Sequence, residues 1–298
     1  TLKEAVTEHL NGCVQEDYGV WVYYPWNEKI VHLLDEKEFS TLRTNRNLYK
    51  ITPEERDSLS TKLIGVIGLS VGQSVALVLA MERSFGELRI ADFDTLDLSN
   101  MNRIRTGVHN LGLPKTVIVA REIAEIDPFL KVTCFPEGIT ESNIDEFLNI
   151  NGRLDLLIDE CDSLNIKILC RLKARHYGIP VLMDTSDRGM IDIERFDLEP
   201  ERALFHGIIP ENDFNEINLN DPQLRVRLSL QIAGAASISE RMKRSIPEIG
   251  KTIATWPQLA SGVTLGGAAV GEISRKLLVG ERIPSGRFYV DVEEIVKK

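Results

Sequence analysis

Leu63-Ile64-Gly65-Val66-Ile67-Gly68-Leu69-Ser70-Val71-Gly72-Gln73 is the stretch on which the fold turns. Its first five residues are apolar or small, as a strand buried on both faces requires. The uncharged run continues to Met81 and approaches the length of a membrane span. Gly65, Gly68, Ser70, Gly72, Gln73 and Ser74 interrupt it in the middle, so it reads as strand, tight turn and helix. Such a turn aims backbone N–H groups and the positive end of a helix at phosphates, or it is a plain structural turn. Here the GxGxxG pattern is incomplete, with Gly68, Ser70, Gly72 and Gln73 at its key places.

Outward from this turn the pattern alternates. Apolar strands are expected at Leu63–Ile67, Glu87–Ala91, Lys131–Phe135, Asp155–Asp159 and Pro180–Asp184, separated by helices at Val71–Arg83, Lys115–Ile126 and Leu164–His176. Alternation of this kind predicts an α/β fold, a Rossmann-like doubly wound and mostly parallel sheet. Met190–Phe196 and Gly286–Val292 add an antiparallel C-terminal extension, and residues 1–50 form a small N-terminal appendage of helix plus β-hairpin. The main domain then covers 51–298, with a crossover loop near 207–225, a helix at Leu224–Met242, and a small-residue run, Leu259–Gly271, suited to close packing.

Composition narrows the functional classes. The 298 residues carry 35 Lys+Arg against 45 Asp+Glu, a net charge of -10 that disfavours a nucleic-acid partner. Cys13, Cys134, Cys161 and Cys170 form no CxxC pair, so neither a zinc ribbon nor a disulfide framework is expected, and the compartment reads as the reducing cytoplasm. No signal peptide or membrane segment is expected.

The second strand ends in Asp92-Phe93-Asp94, where a Rossmann-type fold places an acid on ribose hydroxyls; NAD and ATP both fit to that point. The chain continues Thr95-Leu96-Asp97-Leu98-Ser99-Asn100-Met101-Asn102-Arg103, and this pattern resembles the ThiF/MoeB/E1 adenylyltransferases, which activate C-terminal carboxylates of ubiquitin-like and sulfur-carrier proteins. Gly112-Leu113-Pro114-Lys115, Ile126-Asp127-Pro128, Asp159-Glu160-Cys161-Asp162 and Arg43-Thr44-Asn45-Arg46-Asn47 extend the resemblance, with Lys167 where an arginine is common.

The resemblance implies ATP and Mg²⁺ as cofactors, with the nucleotide held by Gly68, Ser70, Gly72, Asp92, Asp94, Asn100, Arg103 and Lys115. Asp162 would hold the metal, a task Asp159 or Asp184 could share. Arg103, Lys115 and Asp162 would be catalytic, joined by Arg46 reaching into the partner subunit of a homodimer. The implied acceptor is a small ubiquitin-like or sulfur-carrier protein or peptide. Asp184-Thr185-Ser186-Asp187-Arg188-Gly189 and Ile193–Asp197 look closer to a bacterial branch in which such a domain precedes a flavin nitroreductase-like domain.

Two departures qualify the expected chemistry. Two family glycines fall on Ser70 and Gln73, and no cysteine lies beyond Cys170 to form a thioester. The expectation is therefore MgATP-dependent adenylation without thioester transfer. A non-catalytic ATP- or AMP-binding assembly module is the alternative, and an NAD-dependent oxidoreductase is a second one that leaves Ser99–Arg103 and Lys115 unexplained.

Overall fold

A computed structural model of the chain describes residues 2–209, 221–234 and 237–297. The chain divides into two compact units, Thr1–Glu54 and Glu55–Lys298. The first holds α1 (Leu2–Leu10) and an antiparallel pair, β1 (Val20–Tyr24) and β2 (Lys29–Leu33), with Tyr24 opposite Lys29 at the turn. A second helix, α2 (Glu36–Arg43), follows that the sequence reading did not place. Its start signal is nevertheless legible: Asp35 accepts the Glu38 N–H at 3.0 Å, with Glu36 and Glu38 in the first turn.

The chain enters the larger unit through α3 (Pro53–Leu59). Its sheet contains β3 (Leu63–Ile67), β4 (Glu87–Ala91), β5 (Lys131–Phe135), β6 (Leu156–Asp159), β7 (Val181–Thr185), β8 (Met190–Glu194) and β9 (Gly286–Tyr289), in the order β5-β4-β3-β6-β7-β8-β9. The pairs from β5 to β7 are parallel, and β8 and β9 are antiparallel additions. This is the expected Rossmann-like α/β fold. From β3 the chain winds one way to β4 and β5 and the other way to β6, so a topological switch point lies between β3 and β6, where such sheets bind ligands.

Buried central strands explain why the pattern was readable. Ile64, Val66 and Ile67 of β3 are all buried, and β6 is buried throughout, so both read as continuous apolar runs. Over β3 lies α4 (Gly72–Glu82), apolar nearly all round because it is covered by the sheet on one side and by the long helix of residues 260–278 on the other. Its fully buried Leu79 alone contributes roughly 1.5–3 kcal/mol. The remaining helices of the parallel part are α5 (Lys115–Ile126), α6 (Ile144–Asn149) and α7 (Leu164–Tyr177), the last ending on left-handed Gly178.

Several expected elements are shorter than the sequence pattern suggests: the strand expected over Met190–Phe196 ends at Glu194, β6 starts at Leu156 rather than Asp155, and two larger differences have clear causes. The helix expected over Leu224–Met242 is broken into α8 (Pro222–Ala233) and α9 (Glu240–Ser245), because Gly234 turns left-handed at φ +82 and Ser239 caps the next helix. The strand expected to reach Val292 stops at Tyr289, since Asp291 accepts the Glu293 N–H at 3.0 Å and starts α11 (Val292–Val296). Most of the crossover loop expected near 207–225 lies outside the described residues. The small-residue run opens α10 (Ala260–Leu278), whose Gly266 backs directly onto Asp184 of β7 and whose Gly267 backs onto Ser74 of α4. Among the described residues no helix is long and apolar enough to cross a membrane.

Candidate functional site

The carboxyl ends of β3, β4 and β6 converge around Gly68. This residue has φ +84, and a Cβ there would lie 2.6 Å from the Glu160 carbonyl, so only glycine lets β3 and β6 approach this closely. Gly72 serves packing: a Cβ would meet Val66 Cγ1 at 2.6 Å.

Asp92 ties the turn to the second strand. Its Oδ2 accepts the Leu69 N–H at 2.7 Å and its Oδ1 accepts the Asp94 N–H at 2.8 Å. Burial pushes its carboxyl pKa up against these two amides and Lys115. Each carboxylate oxygen retains a free lone pair for a further donor. Lys115 opens α5 with its ammonium folded back into the cradle, 3.0 Å from Ser70 Oγ, 2.7 Å from Asp94 Oδ2 and 4.0 Å from Asp92 Oδ2. Its side chain is 4% exposed and that of Asp94 51%, so the lysine presents a fixed buried charge while the aspartate faces outward.

Asp97 caps the 3₁₀ turn Leu98–Asn102, and Asn100 Oδ1 accepts the Asp97 N–H at 3.2 Å in return. That capping box gives Asn100 a local structural job. It also fixes Arg103, the next residue after the turn, whose Nη1 donates to Asn102 Oδ1 at 2.9 Å. Arg103 Nε is buried without a hydrogen-bond partner. Burial lowers the guanidinium pKa, and the charge of Asp162, exposed at the end of β6, partly restores it. A buried donor left open beside a carboxylate is what an incoming phosphate oxygen would satisfy.

The structure thus joins Ser70, Asp92, Asp94 and Lys115 around the turn that runs from Gly68 to Gly72, sets Arg103 within electrostatic reach of Asp162, and leaves Asn100 to its own capping turn. Arg46 belongs to the Thr1–Glu54 unit, exposed on the 3₁₀ turn Asn45–Asn47. Among the described residues no group of three or more His, Cys, Asp or Glu side chains forms a metal cage. Mg²⁺ in nucleotide sites needs only one or two carboxylates besides substrate phosphates and water, and Asp162 meets that requirement.

Several residues were missed by sequence reasoning. Gln73 Nε2 donates to the Arg105 carbonyl at 2.9 Å and to Glu122 Oε2 at 2.8 Å, while its Oε1 accepts the Arg105 N–H at 2.9 Å. Burial raises the Glu122 pKa to about 7. At the end of β6, Asp159 is held down to about 2: burial opposes ionisation, but Lys167 and Arg171 outweigh it. Arg171 is fully buried, 2.5 Å from both Asp159 Oδ2 and Glu194 Oε2, with its guanidinium 4.2 Å from the Phe205 ring centroid. Neither cysteine near the site is an activated nucleophile. The Cys161 thiol donates to Asp159 at 3.0 Å and is raised by burial and by that carboxylate; burial raises Cys170 as well.

Fold and site together define a Rossmann-like α/β domain with a glycine turn at the switch point of its sheet. More narrowly, the chain belongs to the ThiF family, whose sequence profile matches residues 42–243. It is 43% identical over 277 residues to an uncharacterized protein of Mycobacterium tuberculosis, covering 93% of this chain and 38% of that protein. The chain therefore spans well under half the length of that relative. The crystal structure of PaaA superposes with a TM-score of 0.63 at 18% identity, covering 98% of this chain and 88% of the other. The E. coli tRNA N6-threonylcarbamoyladenosine dehydratase in complex with ATP matches with a TM-score of 0.57 at 17% identity, covering 80% and 94%.

Proposed function

We propose that this chain is a cytoplasmic enzyme domain that binds MgATP at the ends of β3, β4 and β6 and adenylates a carboxylate. The acceptor is the C-terminus of a small ubiquitin-like or sulfur-carrier protein or peptide, and no thioester follows. The observation that carries this reading is Lys115, a buried ammonium held on Ser70 and Asp94 at the mouth of the phosphate turn. The ATP-bound state of the E. coli structural relative supports the choice of nucleotide.

In this reading an acceptor oxygen attacks the α-phosphorus, the bond to the bridging oxygen breaks, and pyrophosphate leaves with the electron pair. Asp92 binds the ribose hydroxyls through its remaining lone pairs, with Asp94 beside it. Lys115 and Arg103 neutralise charge that grows on the phosphates, and Asn100 holds the turn that aims Arg103. Asp162 would hold Mg²⁺, which supplies further charge neutralisation. Arg46 would act from the partner subunit of a homodimer. A nitroreductase-like domain, fused or separate, would work alongside; the long remainder of the M. tuberculosis relative leaves room for another domain in that protein.

Isotope exchange between pyrophosphate and ATP tests the reading. Exchange that requires a carrier or peptide carboxylate and disappears in Lys115→Ala supports adenylation. Tight ATP binding with no exchange for any acceptor identifies a non-catalytic nucleotide module instead.

A further inference from the structure

We infer that the cavity at the carboxyl ends of β6 and β7 takes a primary ammonium group on an aliphatic stem, as an acceptor ending in lysine would present it. This rests on the adenylation reading. The cavity adjoins the nucleotide turn, since Val71 at the start of α4 and Asp162 after β6 belong to its wall. Asp184 also lines it and is 5% exposed, with neither carboxylate oxygen hydrogen-bonded. The hydroxyl of Ser186, in the same lining, is likewise buried without a partner. Buried acceptors left open are costly, so the pair marks a place for a donor.

The neighbours of Asp184 supply no such donor. Helix α10 meets it with the bare Cα of Gly266, where a Cβ would lie 2.0 Å from Oδ2. Glu160 is itself an acceptor and takes the Asp184 backbone N–H at 3.0 Å. Lys167 is held on Asp159, 3.2 Å from its Oδ2 and 3.4 Å from its carbonyl oxygen. The cavity is the direction that remains.

Charge and shape then select the ligand. Among the described lining residues Glu160, Asp162, Asp184 and Asp187 stand against one cation, Lys167, an excess that favours a cationic group and repels an acidic one. A charged donor also binds a carboxylate more strongly than a neutral one does. The three N–H groups of an ammonium can serve Asp184 and Ser186 together. Opposite them the wall is apolar, with Ile232 of α8, Ile238, Met242 of α9 and Trp256, and it suits a hydrocarbon stem. The volume is about 150 Å³, room for a benzene-sized group, and an aminobutyl group is no larger.

The test is pyrophosphate exchange by the full chain with synthetic pentapeptides that differ only in the last residue, Lys, norleucine or Glu. Norleucine keeps the stem and lacks the ammonium. The expected result is kcat/KM for Lys about tenfold or more above norleucine, with Glu below norleucine. Asp184→Asn should bring the Lys-to-norleucine ratio to within about twofold of one, and Ser186→Ala should lower it by about threefold or more. A general loss of metal or of stability would slow both peptides alike and leave the ratio unchanged. Equal rates for Lys and norleucine, or a ratio that survives Asp184→Asn, overturn the inference while leaving adenylation intact. Should Asp184→Asn lose its cooperative melting transition, Ser186→Ala decides, and an unchanged ratio there overturns the inference. If no peptide supports exchange, calorimetric titration of the ATP-loaded chain with Nα-acetyl-lysine and Nα-acetyl-norleucine decides. Tighter binding of the lysine compound, lost in Asp184→Asn, keeps the cavity assignment although adenylation fails, and equal binding removes both.

Discussion

Gln73 holds Arg105 as a neighbouring strand would, its side-chain amide accepting the backbone N–H and donating to the carbonyl, each at 2.9 Å. The residue that spoils the glycine pattern thereby anchors the segment that carries Arg103. Gln73→Ala would leave both Arg105 backbone groups open, at a cost on the order of 1–3 kcal/mol. The expected outcome is ATP affinity lower by about tenfold, read by calorimetry. An unchanged dissociation constant would show that the anchored segment does not serve the nucleotide.

Lys115 is buried with an ionic partner and a hydroxyl, so its charge is fixed before substrate arrives. Removing one preorganised electrostatic group typically costs about 100-fold or more in rate. Lys115→Met should show that loss in pyrophosphate exchange, with circular dichroism unchanged. Lys115→Arg should not restore it, because the planar guanidinium does not fit the space between Ser70 and Asp94.

Glu122 gives the fold a pH dependence. Its folded pKa of about 7 lies above the reference value of 4.5, chiefly through burial. The folded state therefore binds the proton more tightly, and the associated stability is fully present below 4.5 and lost as pH rises through about 7. Glu122→Gln keeps an acceptor for Gln73 and cannot ionise. Its melting temperature should gain on the wild type progressively between pH 5 and pH 8; a constant difference across that range counts against the assignment.

Arg171 bridges two buried carboxylates, Asp159 and Glu194. Arg171→Met strands both, and the expected loss is about 3–5 kcal/mol in urea unfolding. Asp159 adds a second signature: its lowered pKa contributes stability present above 3.8 and lost as pH falls toward about 2. That acid limb should vanish in Asp159→Asn.

Arg46 separates a dimeric active site from a self-contained one. Arg46→Ala should lower exchange turnover with the melting temperature unchanged, and mixing it with an Asp162→Ala protein should restore part of the rate through hybrid dimers. Full turnover by Arg46→Ala alone rejects the role in trans.

The sheet was legible because β3 is an apolar run and β4 and β5 are short runs with β-branched or apolar residues bounded by turns, and their limits match the sequence reading residue for residue, although β5 buries only Phe135. Asp92 and Lys115 were legible through local motifs. Gln73 was not, since its partners Arg105 and Glu122 lie 32 and 49 residues away and no local pattern encodes such a bond. The break between α8 and α9 was written in Gly234 and Ser239, but apolar residues spaced at helical intervals on both sides obscured it. The cavity lined by Asp162 and Asp184 gathers residues from Val71 to Gln258, and only tertiary packing brings them together.

Gly68 has one more consequence. The hydrogen that replaces its side chain points toward Glu160, so this position sets the spacing between the glycine turn after β3 and the residues that follow β6. A methyl group there would act as a wedge, forcing the two strand ends apart. The turn and the Glu160 side of the joint would then shift in concert, and neither could be restored by repair on its own side.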